Sequence, residues 1–496
     1  MKTLLRTASL SVLAIVAAGC TSPPTAIDPA VDLPANFGTT PQDGAQQWPT
    51  AQWWKSFGSD ELSALEDTAM ASNLDLDSAL ARLTQAQAAT GSSFAPLLPS
   101  ISASVGVSRG GPNQDTGAVT PTTNTGMTEK TSFSAGYSGL DFMGAINGLR
   151  QAREAERSSL YSYGQTQLTL SASVATAYFA ILSLRERIAF AKQNIDNADT
   201  ILKTVQAKVS AGVNSNLDLA NQQATIAGQR STVPTLQEQE REARYALALL
   251  LGRAPEGFDV KAQNLDNIVP PPVAPGLPSV LLTRRPDIAV AEANLFAQHA
   301  NVDKARDAFL PLTLTATEGG SVGGTGAATN AFNGAANAFN FAKLFDPTNL
   351  AWTIGTALVV QIFDGGRLHY ASASARASEH QLLNTYRTTV FAALSDVETQ
   401  LGQVNAQALT YGFVQEQARA QGEAERIAEL QYREGVSALT DLLSAQNSLF
   451  NVRSTVVTTK LSRLNASVAL YKALGGGWTM DDADKSEVDA VGFSPL

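Results

Sequence analysis

A short turn occurs twice in this chain, as Gly212-Val213-Asn214 and as Gly435-Val436-Ser437. When the two Gly-Val pairs are superimposed, Asp218 falls on Asp441 and Gln223 on Gln446. The echo extends far beyond the turns. Ala95-Pro96-Leu97-Leu98-Pro99 corresponds to Ala308-Phe309-Leu310-Pro311, and Leu140-Asp141-Phe142-Met143-Gly144 to Gln361-Ile362-Phe363-Asp364-Gly365-Gly366. The chain is therefore a duplicated unit of about 215 residues, far longer than a solenoid period. Each half reads helix, strand, polar loop, strand, very long helix, Gly-Val turn, helix. The halves run over residues 50–265 and 266–478, with a tail at 479–496.

The strands are expected at about 99–108, 131–142, 311–318 and 351–363, and they alternate. Ile101, Ala103, Val105 and Val107 oppose Ser102, Ser104, Gly106 and Ser108. Leu312, Leu314 and Ala316 oppose Thr313, Thr315 and Thr317, and Trp352, Ile354, Leu358, Val360 and Ile362 share one face of the fourth strand. Period-2 patterning marks a half-buried strand. In a soluble sandwich the polar face looks out to water. In an outer-membrane barrel it looks inward, and about 10 residues per strand suffice to cross. The intervening loops, Arg109 to Lys130 and Gly319 to Asn349, are long, rich in small and polar residues and without periodicity.

The other ends of the strands run into helices. Helical hairpins are expected at about 145–252 and 366–474. No proline interrupts the chain from Ala145 to Ser210, a stretch that would reach about 100 Å as one helix. Ile181, Leu184, Ile188, Ala191, Ile195, Ala198, Leu202, Val205 and Val209 recur at spacings of three and four, which predicts a coiled-coil seam. Leu394, Val397, Leu401 and Val404 begin a matching seam in the second half.

The N-terminus decides between the two readings of the strands. Residues 1–19 have a positive start (Lys2, Arg6) and an apolar stretch from Ala8 to Ala18 that is too short to span a bilayer. They lead through Ala17-Ala18-Gly19 into Cys20, the only cysteine. That resembles a bacterial lipoprotein signal, with Cys20 as the lipidated residue carrying diacylglycerol and fatty acyl groups. Ala17 departs from the usual Leu, and the bland alternative is a lone thiol near an ordinary cleavage site. Thr21 after Cys20 implies sorting to the outer membrane. Residues 20–49 read as an extended tether. A lipoprotein signal favours the barrel. Four strands cannot close one, and an open edge in lipid leaves backbone groups unpaired at several kcal/mol each. The chain is therefore expected to share a barrel with copies of itself: eight strands from two chains fill with side chains, while twelve from three leave a passage. The expected fold class is a mixed α and β membrane protein, with a trimeric 12-stranded barrel continued by a periplasmic helical tube.

At that point the chain resembles the TolC-like outer-membrane efflux factor family, in its lipoprotein branch serving RND efflux pumps (the NodT/OprM type). The resemblance covers nearly the whole mature chain. It rests on Trp53-Trp54-Lys55-Ser56-Phe57, on Leu277-Pro278-Ser279 through Leu282-Thr283-Arg284-Arg285-Pro286-Asp287-Ile288, on Ile362-Phe363-Asp364-Gly365-Gly366-Arg367, and on Tyr471-Lys472-Ala473-Leu474-Gly475-Gly476-Gly477-Trp478. It implies a homotrimeric conduit fed by a periplasmic membrane-fusion adaptor and an inner-membrane RND pump. An outer-membrane component of type I protein secretion and a non-conducting envelope spacer are the alternatives.

Composition speaks against other chemistry. The chain carries a net charge of −10 with only 16% charged residues, so it lacks the basic face that nucleic acid needs. His299, His369 and His380 show no metal-ligand spacing, five Met do not support a metal relay, and no catalytic site or cofactor is expected. Gly475-Gly476-Gly477 lacks the Lys-Ser/Thr of a phosphate loop and reads as a helix stop. Arg284-Arg285-Pro286-Asp287 reads as a salt-bridged corner opening a helix.

The Gly-Val turns remain. Gly212 and Gly435 can end the incoming helices in the left-handed conformation, and Asn214 and Ser437 can cap the outgoing ones. Asp218 and Asp441 then lie about one turn in, near the positive helix end, and helix capping accounts for them fully. The family resemblance adds a second role. It implies that these turns form the periplasmic mouth, with Asp218, Tyr432 and Asp441 as the gate and with Gly212, Val213, Gly435 and Val436 contacting the adaptor. Ser444 stands where close relatives carry a second Asp. A hydrogen bond between Tyr432 and Asp218 is the expected closed-state link.

Overall fold

The computed structural model describes residues 30–34, 36–38, 48–98, 100–109, 126–213, 215–272, 278–309, 312–327, 350–358 and 363–479. The signal, Cys20, most of the tether, most of both long interstrand loops, Asn214 and nearly all of the tail lie outside these residues. Met1–Leu33 is a unit of its own, and the architecture below is that of Pro34–Leu496.

Each half opens with a helix entering a strand pair. α1 (Asp60–Ser72) is capped by Ser59, and α2 (Leu74–Phe94) by Asn73, whose Oδ1 accepts from the amide of Leu76 at 2.9 Å. Acidic residues fill both first turns, where the helix dipole favours them. β1 (Ser100–Arg109) and β2 (Gly126–Asp141) follow, then α3 (Phe142–Ser210) and α4 (Asn216–Leu250). The second half has α5 (Pro286–Asp307), β3 (Leu312–Ala327), β4 (Leu350–Leu358), α6 (Arg367–Arg433) and α7 (Leu439–Ala473). α3 has 69 residues and α6 has 67, so each is about 100 Å long. α3 pairs with α4 and α6 with α7 as hairpins, while α5 packs on both α3 and α6.

The strands form one antiparallel sheet in the order β1-β2-β3-β4. β2 and β3 pair from Gly126↔Ala327 to Asp141↔Thr313, with a register shift between Tyr137 and Leu140. Their extent departs from expectation: β2 starts at Gly126 rather than near 131, and β3 runs on to Ala327 rather than 318. The residues added to β3 are Gly-rich, and neither they nor Gly126-Met127-Thr128-Glu129-Lys130 alternate. Their ladder comes from backbone pairing to the neighbouring strand, which a side-chain pattern does not report. β4 is described to Leu358, and residues 359–362 of the expected strand lie outside the described residues.

Where the hairpins meet the strand-entry helices lies an aromatic core. Trp53 stacks on Tyr471 with centroids 5.3 Å apart, and Phe57 packs between Trp53 and Phe179. Both halves close here with the same device. The cap residue Asn73 donates from Nδ2 to the carbonyl of Leu250 at 2.8 Å, and Arg285 donates from Nη1 to the carbonyl of Ala473 at 2.8 Å. Just beyond each carbonyl a glycine turns left-handed, Gly252 at φ 64° and Gly475 at φ 87°. Arg285 also forks onto Asp287 at 2.7 Å and reaches Asp396 at 3.1 Å, so the Arg-Arg-Pro-Asp run is indeed a salt-bridged corner. The strap after α4 is held by Arg185, which bonds Glu240, Asp259 and the carbonyls of Val260 and Ala262.

The α3 seam is legible in burial. Ala191, Ala198 and Val205, seven residues apart, are fully buried, while Leu184, Ile188, Ile195, Leu202 and Val209 are half-buried along its flank. In α6, Val397 and Leu401 are buried likewise.

Candidate functional site at the hairpin tips

The far ends of the two hairpins meet. Val205 on α3, Tyr432 on α6 and Leu439, Leu442 and Leu443 on α7 form a buried cluster, with Ile201, Val209, Leu219 and Ala428 packed against it. Both Gly-Val turns therefore stand at one end of the molecule, side by side.

The two turns share the same pair of closing bonds. In the first, the amide of Gly212 donates to Val209 at 3.0 Å and that of Val213 to Lys208 at 2.8 Å. In the second, Gly435 donates to Tyr432 at 3.2 Å and Val436 to Gln431 at 2.8 Å. These are paired Schellman motifs, with Gly212 at φ 73° and Gly435 at φ 76° in the left-handed position. Such a motif often folds its next residue back onto the helix. Here Val213 and Val436 instead remain 72% and 78% exposed.

The outgoing helices are capped differently from expectation. The first cap is Ser215, not Asn214: its Oγ accepts from the Asp218 amide at 3.2 Å, while Asp218 Oδ2 accepts from the Ser215 amide at 3.0 Å. This is a reciprocal capping box, and the Ser-x-x-acid spacing that signals it is present in the sequence. In the second turn the cap position is Ala438, not Ser437. The extra bond from the Ser437 amide to Gln431 at 3.3 Å draws Ser437 into the Schellman turn, and its Oγ is buried without a hydrogen-bond partner. Asp441 at the third helical position thus has no capping side chain facing it, and it is exposed, as is Ser444 one turn on.

The three candidate gate residues therefore stand close together at one end in unlike settings. Asp218 is half-buried and engaged with Ser215, whose hydroxyl also donates to it at 3.0 Å. Asp441 faces solvent. Tyr432 is 5% exposed, its ring lying under the Lys208 ammonium. Lys208 has no motif to mark it in the sequence and emerges only from the fold.

Outside the tips, two residues singled out from the sequence hold helices in place. Asp364 caps α6 by accepting from the amides of Leu368 and Gly366 at 2.9 Å each, and those bonds hold its carboxyl below the usual range. His299 joins α5 to α6 through Glu379 at 2.6 Å.

Comparison with known proteins places this architecture. Residues 65–253 and 277–476 match the family described as Outer membrane efflux protein, one match in each half. The pyoverdine export outer membrane protein OpmQ of Pseudomonas aeruginosa is 34% identical over 95% of this chain and 97% of its own length. The probable efflux pump outer membrane protein TtgC of Pseudomonas putida is 29% identical over 95% of both. The open-state structure of the MtrE outer membrane channel of Neisseria gonorrhoeae superimposes with a TM-score of 0.79 at 25% identity, over 93% of this chain and 99% of that one. A four-stranded sheet, two helical hairpins and paired tips, matched across nearly full-length relatives, give one conclusion: the chain belongs to the outer membrane efflux protein family.

Proposed function

We propose that this outer-membrane efflux protein is the passive exit duct of a tripartite RND-type system, conducting small compounds from the periplasm to the exterior. The carrying observation is the sheet. Among the described residues of a single chain β1 and β4 each keep one unpaired edge, and lipid does not tolerate such an edge. Three copies joined β4 to β1 make a closed 12-stranded barrel, which supports the trimer, and the hairpins continue it as a tube into the periplasm. Cys20 carries the lipid anchor. The duct needs no cofactor, since an inner-membrane RND pump supplies the energy through a periplasmic adaptor. OpmQ is named for pyoverdine export, and a small-molecule cargo of this kind suits an open tube.

In this reading Gly212, Val213, Gly435 and Val436 meet the adaptor. The exposure of both valines supports that, because each offers an uncovered apolar side chain at the tip. Affinity capture of the full-length protein from native membranes, followed by mass spectrometry, should recover an adaptor and an RND pump. The double variant Val213→Asp, Val436→Asp should lose the adaptor while still assembling; recovery of a type I ATPase instead would overturn the reading. Asp218, Tyr432 and Asp441 form the gate. Three exposed Asp441 carboxylates around one axis focus a negative field, so Asp441→Asn should lower cation preference in planar bilayers. An unchanged reversal potential would remove Asp441 from the mouth.

A further inference from the structure

We infer that Lys208 is the clasp that holds the second hairpin tip against the first, and that closure of the mouth runs through its ammonium group. This deepens the gate reading above and rests on it.

Lys208 takes part in both turns at once. Its backbone carbonyl accepts from Val213 at 2.8 Å, so it is built into the first Schellman motif. Its ammonium donates to the carbonyl of Tyr432 at 3.1 Å, the same carbonyl that accepts from Gly435 in the second motif. The ammonium also lies 4.2 Å from the centre of the Tyr432 ring. One side chain therefore bridges the two turns by a charge-assisted hydrogen bond and a cation–π contact. The place suits a cation, since α6 ends at Arg433 and the last carbonyls of a helix carry partial negative charge. Tyr432 is 5% exposed and Lys208 half-buried, so water competes weakly for either contact.

The duplicated frame makes the clasp one-sided. At the offset that superimposes Gly212 on Gly435, Lys208 falls on Gln431 and Val209 on Tyr432. The first half supplies the cation and the second half the ring, and neither half supplies both. Displacing the second tip from the first requires breaking the Lys208 contacts, whereas each hairpin keeps its own turn intact. The contact uses the ring and carbonyl of Tyr432 and not its hydroxyl, which separates it from a link between Tyr432 and Asp218.

The test is single-channel recording of the purified trimer in planar bilayers, with elution volume checking assembly. Lys208→Met should raise the open fraction about tenfold, the loss expected for one such paired contact. Lys208→Arg, which keeps a cation over the ring, should restore closure. Tyr432→Phe should stay closed and Tyr432→Leu should open. If Lys208→Met does not assemble, Lys208→Gln takes its place. A native trimer that is closed together with a closed Lys208→Met variant overturns the clasp while leaving the gate. Opening of Tyr432→Phe to the level of Tyr432→Leu also overturns it, assigning closure to the hydroxyl. A native trimer that is already fully open, with Asp441→Asn leaving selectivity unchanged, fails the gate reading itself.

Discussion

Gly475→Ala is expected to destabilise the protein by about 3–5 kcal/mol, the sum of a strained backbone and an overpacked contact. Gly475 has φ 87°, and a Cβ built there would lie 1.8 Å from the carbonyl oxygen of Arg284. That oxygen is backbone, held by the corner that Arg285 makes with Asp287, Asp396 and Ala473, so it cannot swing aside. Gly252 is its counterpart, with a Cβ meeting the Ser72 carbonyl oxygen at 2.0 Å. The tip glycines give the contrast. Gly212 and Gly435 have similar φ, yet nothing lies within 4 Å of a Cβ at either. Alanine there should cost only about 1 kcal/mol, the left-handed penalty alone. Thermal unfolding of the detergent-solubilised trimer ranks the four variants. Equal losses at all four would show that conformation rather than packing sets the cost.

Glu66→Leu should stabilise the protein at neutral pH, and Glu66→Gln should do so with a marked pH dependence. Glu66 lies on the buried face of α1 between Leu62 and Ala69; it is 0% exposed, and both carboxylate oxygens lack a hydrogen-bond partner. Burial, with a smaller contribution from neighbouring Asp67, pushes its pKa up to about 9. The folded state therefore holds a proton that the unfolded chain releases above its ordinary value of 4.5. The unfolded state then binds fewer protons, so stability falls as pH rises from about 4.5 and levels off above about 9. At pH 7.5 the loss is on the order of 4 kcal/mol, about three pH units at 1.4 kcal/mol each. Glu66→Gln removes that slope, so its gain over the native protein should be near zero at pH 4.5 and grow through pH 9. Melting temperatures across this range decide it; a constant offset would mean that Glu66 is ionised in the fold.

Much of the architecture was legible because it repeats at backbone periods. The proline-free stretch after Ala145 predicts α3, and the spacing-of-seven residues Ala191, Ala198 and Val205 are its buried seam. The Gly-Val pairs predict left-handed turns, and both are. The Arg-Arg-Pro-Asp corner follows from residue type and a proline at the helix start. What failed did so for local reasons. Asn214 and Ser437 are the nearest polar residues after the glycines, but the caps stand one residue later, at Ser215 and Ala438, and in the second turn the Ser437 amide is bonded back to Gln431. The strand ends at Gly126 and Ala327 are not legible in the sequence because they rest on backbone pairing across the sheet, and neither Met127-Thr128-Glu129-Lys130 nor the glycine-rich end of β3 alternates.

By itself, then, the chain determined what depends on neighbours in sequence: a duplicated unit, helices and strands from their periods, and turns from their glycines. Tertiary structure decided what depends on pairs far apart. Glu66 reads as a surface carboxylate until α1 packs its face inward, and Lys208 is an ordinary helix lysine until Tyr432 arrives from 224 residues away. The physical reason is that burial and through-space charge contacts are set by which faces meet. No local pattern on either partner encodes that meeting.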